Sequence, residues 1–259
     1  MSTIALMVVS CDKYQDTWEP FFAALDKFWP DCEMKKYLVT NEIKNLPYDI
    51  QVISTGPEKS WSAKVRTALS SIQEEYIFLL LDDYFFDRQV DNKVFQELLC
   101  KMNQECIDYI SFEVAPTDFR DGNIGRISNK NVYGKVLQPA FWKKEYLMKC
   151  LFDDHFSAWE FESRQKNKSA LKIEGNDYCT TKRMLFWQNG VLQGKWYPDA
   201  VLRMNDVGIT IDTTQRGMLA KNKVIRLKIK RFLIRILPRR FASPVRRLLQ
   251  KFGMKFITE

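Results

Sequence analysis

Histidine is nearly absent: His155 is the single one in 259 residues. A catalytic triad would have to use that one imidazole, and no nucleophile-elbow pattern accompanies it. The six cysteines (Cys11, Cys32, Cys100, Cys106, Cys150, Cys179) are scattered and form no C-x-x-C pair. Zinc and dithiol redox chemistry therefore lack a framework, and reduced thiols are the expectation. No run of about 18 apolar residues occurs, so no segment reads as a membrane-spanning helix, and Ile4 to Val9 is far too short to be one. Glycine is sparse and missing from Ser10-Cys11-Asp12-Lys13-Tyr14, so no Gly-rich phosphate loop follows the first apolar run. Acids are nearly missing from the end of the chain: from Lys221 onward there are thirteen Lys/Arg and only Glu259.

What is present suits a folded body. Hydrophobic residues make up 46% and aromatics 14%, enough to bury the core of one large α/β domain or two small ones. The net charge of +8 is uneven. Removing the basic tail leaves residues 1–220 mildly acidic, which suggests a working body with a separate electrostatic attachment device. A division at 1–220 and 221–259 follows from that break, and a cytoplasmic protein is expected.

The pattern along the chain alternates strand and helix. Ile4 to Val9 reads as a strand ending at Ser10-Cys11-Asp12. Trp18, Phe21, Phe22, Leu25 and Phe28 have helical spacing, and Pro30 stops it. Met34 to Val39 and Ile50 to Ile53 read as strands. Ser60 caps a helix carrying Val65, Leu69 and Ile72. A further helix is expected over Val94 to Met102 and a strand over Asp108 to Val114. Loop is expected over Pro116 to Asn131, a strand over Tyr133 to Leu137, and a short helix over Trp142 to Leu151. A polar loop, Ala158 to Glu162, and a helix around Asp177 to Gln188 complete the body, with loop or edge strand over Gly190 to Pro198. Short buried strands separated by helices imply a mostly parallel sheet with helices on both faces.

The most informative stretch is Tyr76-Ile77-Phe78-Leu79-Leu80-Leu81-Asp82-Asp83. Six apolar residues fit a strand buried on both faces. Two carboxylates at its C-terminal end stand where open α/β sheets place ligands. Carboxylate oxygens suit hard divalent cations, so Asp83 and Asp82 are candidate ligands for Mn²⁺ or Mg²⁺ facing phosphates. A cap or solvated loop is the plainer alternative.

The tail has its own pattern. Ile225, Ile229, Phe232, Leu233 and Ile236 form an apolar stripe among Arg226, Lys228, Lys230, Arg231 and Arg235. After Pro238, Val245, Leu248, Leu249 and Phe252 repeat it. Basic amphipathic helices of this kind lie on anionic membrane surfaces. Docking on the protein's own core or on a partner is the competing reading. Nucleic acid is disfavoured because aromatics for stacking are few.

The order of these features is similar to that of bacterial GT-A-fold glycosyltransferases of surface polysaccharide (capsule or O-antigen type) biosynthesis. The features are a first strand ending in Ser10-Cys11-Asp12, a helix with Trp61, Lys64 and Arg66, a strand ending in Asp82-Asp83, and downstream Leu137-Gln138-Pro139-Ala140-Phe141-Trp142 before a helix and then Trp159-Glu160-Phe161-Glu162. The resemblance covers about residues 1–210. It implies a GT-A-like (Rossmann-like) fold, a nucleotide-sugar donor of the UDP-linked kind, and a saccharide or lipid-linked saccharide acceptor. It also implies a metal on Asp83 and Asp82, and donor contacts from Ser10, Asp12, Trp61, Lys64, Arg66 and Asp82. The general base of an inverting reaction would be Glu160 or Glu162, with position favouring Glu160. Leu81 stands where the family's pattern has its first carboxylate. The loop Asn205 to Gly217 is expected to close over the donor with Arg216 on the diphosphate. A peripheral position on the cytoplasmic membrane face would follow. The rivals are a sugar nucleotidyltransferase and a non-enzymatic membrane or nucleic-acid binder.

Overall fold

The computed structural model describes residues 3–42, 46–57, 59–152 and 155–236, with side chains of the last helix described through residue 229. The first third alternates as expected: β1 (Ile4–Val9), α1 (Gln15–Phe28), β2 (Lys35–Thr40), β3 (Gln51–Ser54), α2 (Trp61–Ser71) and β4 (Tyr76–Leu81). Then come β5 (Tyr84–Phe86), α3 (Asn92–Gln104), β6 (Tyr109–Ser111), β7 (Thr117–Asp121), β8 (Ile124–Ile127), β9 (Ala140–Lys143), α4 (Lys144–Leu151) and α5 (Ala158–Arg164). The remainder is β10 (Asp177–Thr180), β11 (Trp187–Asn189), β12 (Val191–Leu192), β13 (Lys195–Trp196), α6 (Pro198–Asp206) and α7 (Lys221–Ile236).

Among the described residues nine strands form one sheet in the order β3-β2-β1-β4-β9-β6-β10-β8-β7. Strands β3, β2, β1 and β4 are parallel neighbours, and β9 is reversed between β4 and β6. The class is therefore α/β with a mostly parallel sheet flanked by helices, as the alternating pattern implied. Strand alternation sends β4 side chains to two cores. Tyr76, Phe78 and Leu80 join α1 and α3 on one face, and Ile77 and Leu79 join α2 and α4 on the other. The first core is aromatic: the rings of Trp29, Phe95, Phe112 and Phe141 surround Phe78 at centroid distances of 5.2–5.9 Å. Each such buried ring contributes about 1.5–3 kcal/mol through lost water contact.

Several expectations fail, each for an identifiable reason. Within residues 116–131, Thr117–Asp121 and Ile124–Ile127 are not loop but the hairpin β7–β8, whose exposed polar first strand carries no apolar alternation to read; Gly122 at φ +57° lets the chain reverse, and residues 128–131 are loop as expected. Tyr133 to Leu137 is not a strand; among the described residues its β-type pairing is the isolated bridge from Tyr133 to Lys166. The strand is instead β9, so Trp142 belongs to it and α4 begins two residues later. Asp177 to Thr180 is a strand paired with β6 and β8 rather than helix, because a sheet position overrides a weak helical pattern. Ala158 to Glu162 is helical, not loop: Ser157 and Glu160 form a capping box at the start of α5.

The helix at 221–236 forms as its periodicity indicated. The second apolar set, Val245 to Phe252, lies outside the described residues. Among the described residues no helix is long and apolar enough to cross a membrane.

Candidate active site

The parallel register of β1 and β4 creates the centre of the site. Val9 pairs with Leu81, so Ser10 and Asp82 emerge side by side at the same sheet edge. The Ser10 hydroxyl donates to Asp82 Oδ2, and Trp18 Nε1–H donates to Ser10 Oγ at 2.7 Å. Asp82 is almost fully buried. Burial, and then the neighbouring Asp83 charge, push its carboxyl up to about 8, against the pull of Ser10. Burial pushes Asp83 up to about 6, opposed by the Val191 N–H that its carboxylate accepts. Both carboxyls are raised by burial, and as close neighbours they titrate as a pair, each disfavouring the other's ionisation.

Both aspartates line a cavity of about 500 Å³. Ser10, Tyr14, Trp61, Lys64, Gln138, Trp159, Glu162 and the hairpin residues Val191 to Gly194 are also in its wall. Lys64 is buried and donates to Asn41 Oδ1 at 2.8 Å, and burial pulls its amine below the usual lysine range. Trp61 packs on Phe161 with ring centroids 5.3 Å apart, and its buried indole N–H has no acceptor among the described residues. Trp159, 69% exposed, presents a ring at the mouth. The hairpin turn Gln193-Gly194 has both residues at positive φ (+53° and +72°), the geometry of a type I′ reversal.

A second cavity of about 630 Å³ adjoins the first, sharing Gln138, Glu162 and Asn189 as common wall. Gln138 bridges the two sides: its amide donates to the Tyr84 hydroxyl at 3.2 Å, and its carbonyl accepts from Trp187 Nε1 at 3.3 Å. Glu162 is half-buried, and its Oε1 accepts the Leu137 N–H at 2.8 Å. Burial raises its carboxyl above the ordinary range.

The candidate residues from the sequence thus separate into two sets. Ser10, Asp82, Asp83, Trp61, Lys64 and Glu162 converge on one cavity. Four others are placed elsewhere. Glu160 is exposed, its Oε2 accepting from the Ser157 N–H at 2.7 Å and from the Ser157 hydroxyl at 2.8 Å. Asp12 Oδ1 accepts from the Thr40 hydroxyl and the Asn41 N–H, tying the ends of β1 and β2 together. Arg66 donates to the Phe152 carbonyl at 2.6 Å, on the α4 side of α2. Arg216 makes a two-point contact with Asp16 at 2.9 and 2.5 Å and stacks 4.1 Å from the Tyr14 ring centroid. Its guanidinium acts on the site through Tyr14 and through its field on the two aspartates. Gln138 stands in a stretch that the resemblance includes, but no site role for it, for Asn189 or for the 191–194 hairpin follows from residue order. Only the Gln193-Gly194 turn carries a local signal, since glycine after a polar residue favours a tight reversal.

Among the described residues no three His, Cys, Asp or Glu side chains converge as a metal cage. The donor set is two adjacent carboxylates, which suits a cation that keeps waters and takes its remaining oxygens from a phosphate.

No protein-family model matches the chain, and no curated protein matches it. Among solved structures it is similar to the bifunctional IspDF from Campylobacter jejuni, with 16% identity over 69% of this chain and a TM-score of 0.41. It is also similar to S. aureus TarS 1–349 in complex with UDP-GlcNAc, with 10% identity over 71% of this chain and a TM-score of 0.43. The same TarS fragment in complex with UDP matches at 8% identity, 71% coverage and a TM-score of 0.43. The chain spans 49%, 57% and 59% of those three chains. No residue of this chain takes its role from them.

Proposed function

We propose that this protein is a GT-A-type glycosyltransferase that moves a sugar from a nucleotide donor, most simply UDP-linked, to a saccharide or lipid-linked saccharide acceptor with inversion. One observation carries the reading: Glu162 is shared by two adjoining cavities, and the one that also holds Asp82 and Asp83 is lined by aromatic and cationic side chains. The carboxylate cavity suits the donor and the second cavity the acceptor.

The chemistry follows from that division. The acceptor hydroxyl, in the second cavity, attacks the anomeric carbon from the face opposite the diphosphate. Glu162 takes the hydroxyl proton as the new C–O bond forms. Its raised pKa makes it a stronger base than an exposed carboxylate, and its bond from the Leu137 N–H orients it. The anomeric C–O bond breaks and its electron pair leaves with the nucleoside diphosphate. A divalent cation on Asp83, with Asp82 beside it, would supply positive charge to that leaving group. Lys64 offers a second cation in the same wall. The buried Trp61 N–H can be satisfied by an oxygen of the nucleotide sugar, and Trp159 offers a face for a base or sugar. Glu162 takes the role of base in place of Glu160, which position alone favoured, because Glu160 is committed to its helix cap. The basic tail suits an acceptor held at an anionic membrane surface.

The test is thermal stabilisation by a panel of nucleotide sugars with and without Mn²⁺, repeated with Asp83→Ala. We expect at least one UDP-sugar to raise Tm in a Mn²⁺-dependent way and the variant to lose that dependence. The reading fails if no nucleotide shifts Tm, or if Asp83→Ala responds like wild type.

A further inference from the structure

We infer that α7 is a sensor for an anionic lipid surface that acts on the donor cavity through the β12–β13 hairpin. The regulatory part rests on the donor reading of that cavity; the mechanical part does not.

Helix α7 is not an independent tail. Val224 is buried in a small cluster with Tyr197, Ala200 and Leu219, against which Leu227 and Leu192 also pack. Leu192 belongs to the hairpin and lines the 500 Å³ cavity. One apolar contact set therefore joins the tail helix to the cavity wall. Backbone bonds reinforce the join. Trp196 N–H donates to the Gly217 carbonyl at 3.0 Å, and Leu219 N–H donates to the Trp196 carbonyl at 2.8 Å. Lys195 Nζ donates to the Arg216 carbonyl at 2.8 Å. On the helix itself, Lys228 pairs with Asp199 of α6 at 2.7 Å.

The outward side of the helix has a different character. Ile225 and Ile229, one turn apart, are 57% and 47% exposed. From Lys221 to Arg235 the helix carries seven Lys/Arg and no Asp or Glu. Two exposed isoleucines on a helix of unmixed positive charge match an anionic interface, where the apolar pair inserts and the cations meet headgroups. Because Ile225 and Ile229 already face outward while Val224 is docked, surface binding is compatible with the docked pose and stabilises it. Whatever holds α7 down also holds Leu192 and the hairpin. An anionic surface should therefore order the hairpin, and the donor cavity with it.

The experiment uses the full chain with vesicles of phosphatidylcholine alone or mixed with phosphatidylglycerol. Hydrogen–deuterium exchange is read at amides 191–197 with no nucleotide present. We expect binding to the mixed vesicles only, and slowing of exchange by about fivefold or more, the lower end of ordinary coupling between sites. Ile225→Ser with Ile229→Ser should abolish vesicle binding and the slowing, and leave vesicle-free UDP-sugar affinity unchanged. Leu192→Ala should retain vesicle binding but lose the slowing. Equal binding to both vesicle types, unchanged or faster exchange at 191–197, or binding to single-stranded RNA in place of vesicles would each overturn the inference. Slowed exchange without any nucleotide binding would instead sustain the coupling and sink the transferase reading.

Discussion

Asp82 gives the sharpest test of the site's electrostatics. Its folded pKa of about 8 lies well above the ordinary 3.8, through burial first and the Asp83 charge second. For an acid, a raised folded pKa means that the native state keeps a proton that the unfolded chain releases. Its stabilising effect is therefore complete at low pH and is lost as pH rises from about 4 to about 8. At about 1.36 kcal/mol for each pH unit of that window, the ceiling is roughly 5–6 kcal/mol. Asp83, raised to about 6, acts in the same direction over the lower part of that window, and the two carboxyls titrate as a pair rather than separately. An asparagine side chain cannot ionise and can still accept from Ser10. Asp82→Asn should thus gain stability relative to wild type with rising pH, by about 1–3 kcal/mol at pH ~8.5, realised below the ceiling because a real site relaxes and admits water. For a chain of this size that is a relative rise of about 2–4 °C in Tm per kcal/mol. The assay is differential scanning fluorimetry across pH ~4–9 in chelator. The diagnostic quantity is the slope of the Tm difference against pH, because a poor fit of the new amide to Ser10 would lower Tm equally at every pH. A flat difference, or one that falls with pH, would refute the account of Asp82 as a carboxyl that burial keeps protonated.

Other consequences can be checked alongside. Glu162→Gln should lower kcat for sugar transfer by about 10²- to 10⁴-fold with little change in donor affinity, while Glu160→Gln, which can still cap α5, keeps wild-type turnover; equal losses in the two would reverse the assignment of the base. Arg216→Ala strands a carboxylate in a pair whose side chains are only 8% and 7% exposed, and should cost about 3–5 kcal/mol in denaturant melts; a cost under about 1 kcal/mol would mean the pair behaves as a surface one. Gly190→Ala would bring a Cβ to 2.4 Å from the Phe85 ring, and Gly190 N–H also bonds the Asp83 carbonyl. We expect a loss of about 1–3 kcal/mol and weaker nucleotide binding, measured by calorimetry. Wild-type behaviour in both would show that the hairpin's seat on β5 tolerates displacement.

The regular parts of the fold are legible because they rest on local rules. The apolar run Tyr76 to Leu81 fits a strand covered on both faces, and it is one. Ser60 accepts the Ala63 N–H and starts α2 as its position suggests. The failures share a cause. Strand β7 is polar and exposed, so no alternation marks it, and β10 is a strand because β6 and β8 flank it. Strand β9 is hidden because Trp142 also fits the apolar pattern of the helix that follows.

Residue order was enough to show that two carboxylates end a buried strand, that tryptophan and lysine begin the preceding helix, and that the chain ends in unmixed positive charge. Those are properties of neighbouring residues, set by covalent order and helical or strand period. Which carboxylates share a cavity was settled only by packing. Glu160 and Glu162 are two residues apart, yet one closes a helix cap and the other stands between two cavities. The difference lies in partners distant in the chain, such as Leu137 for Glu162, Asp16 for Arg216 and Val191 for Asp83. Burial and opposing charge, which set the site's protonation, exist only once those segments have packed together.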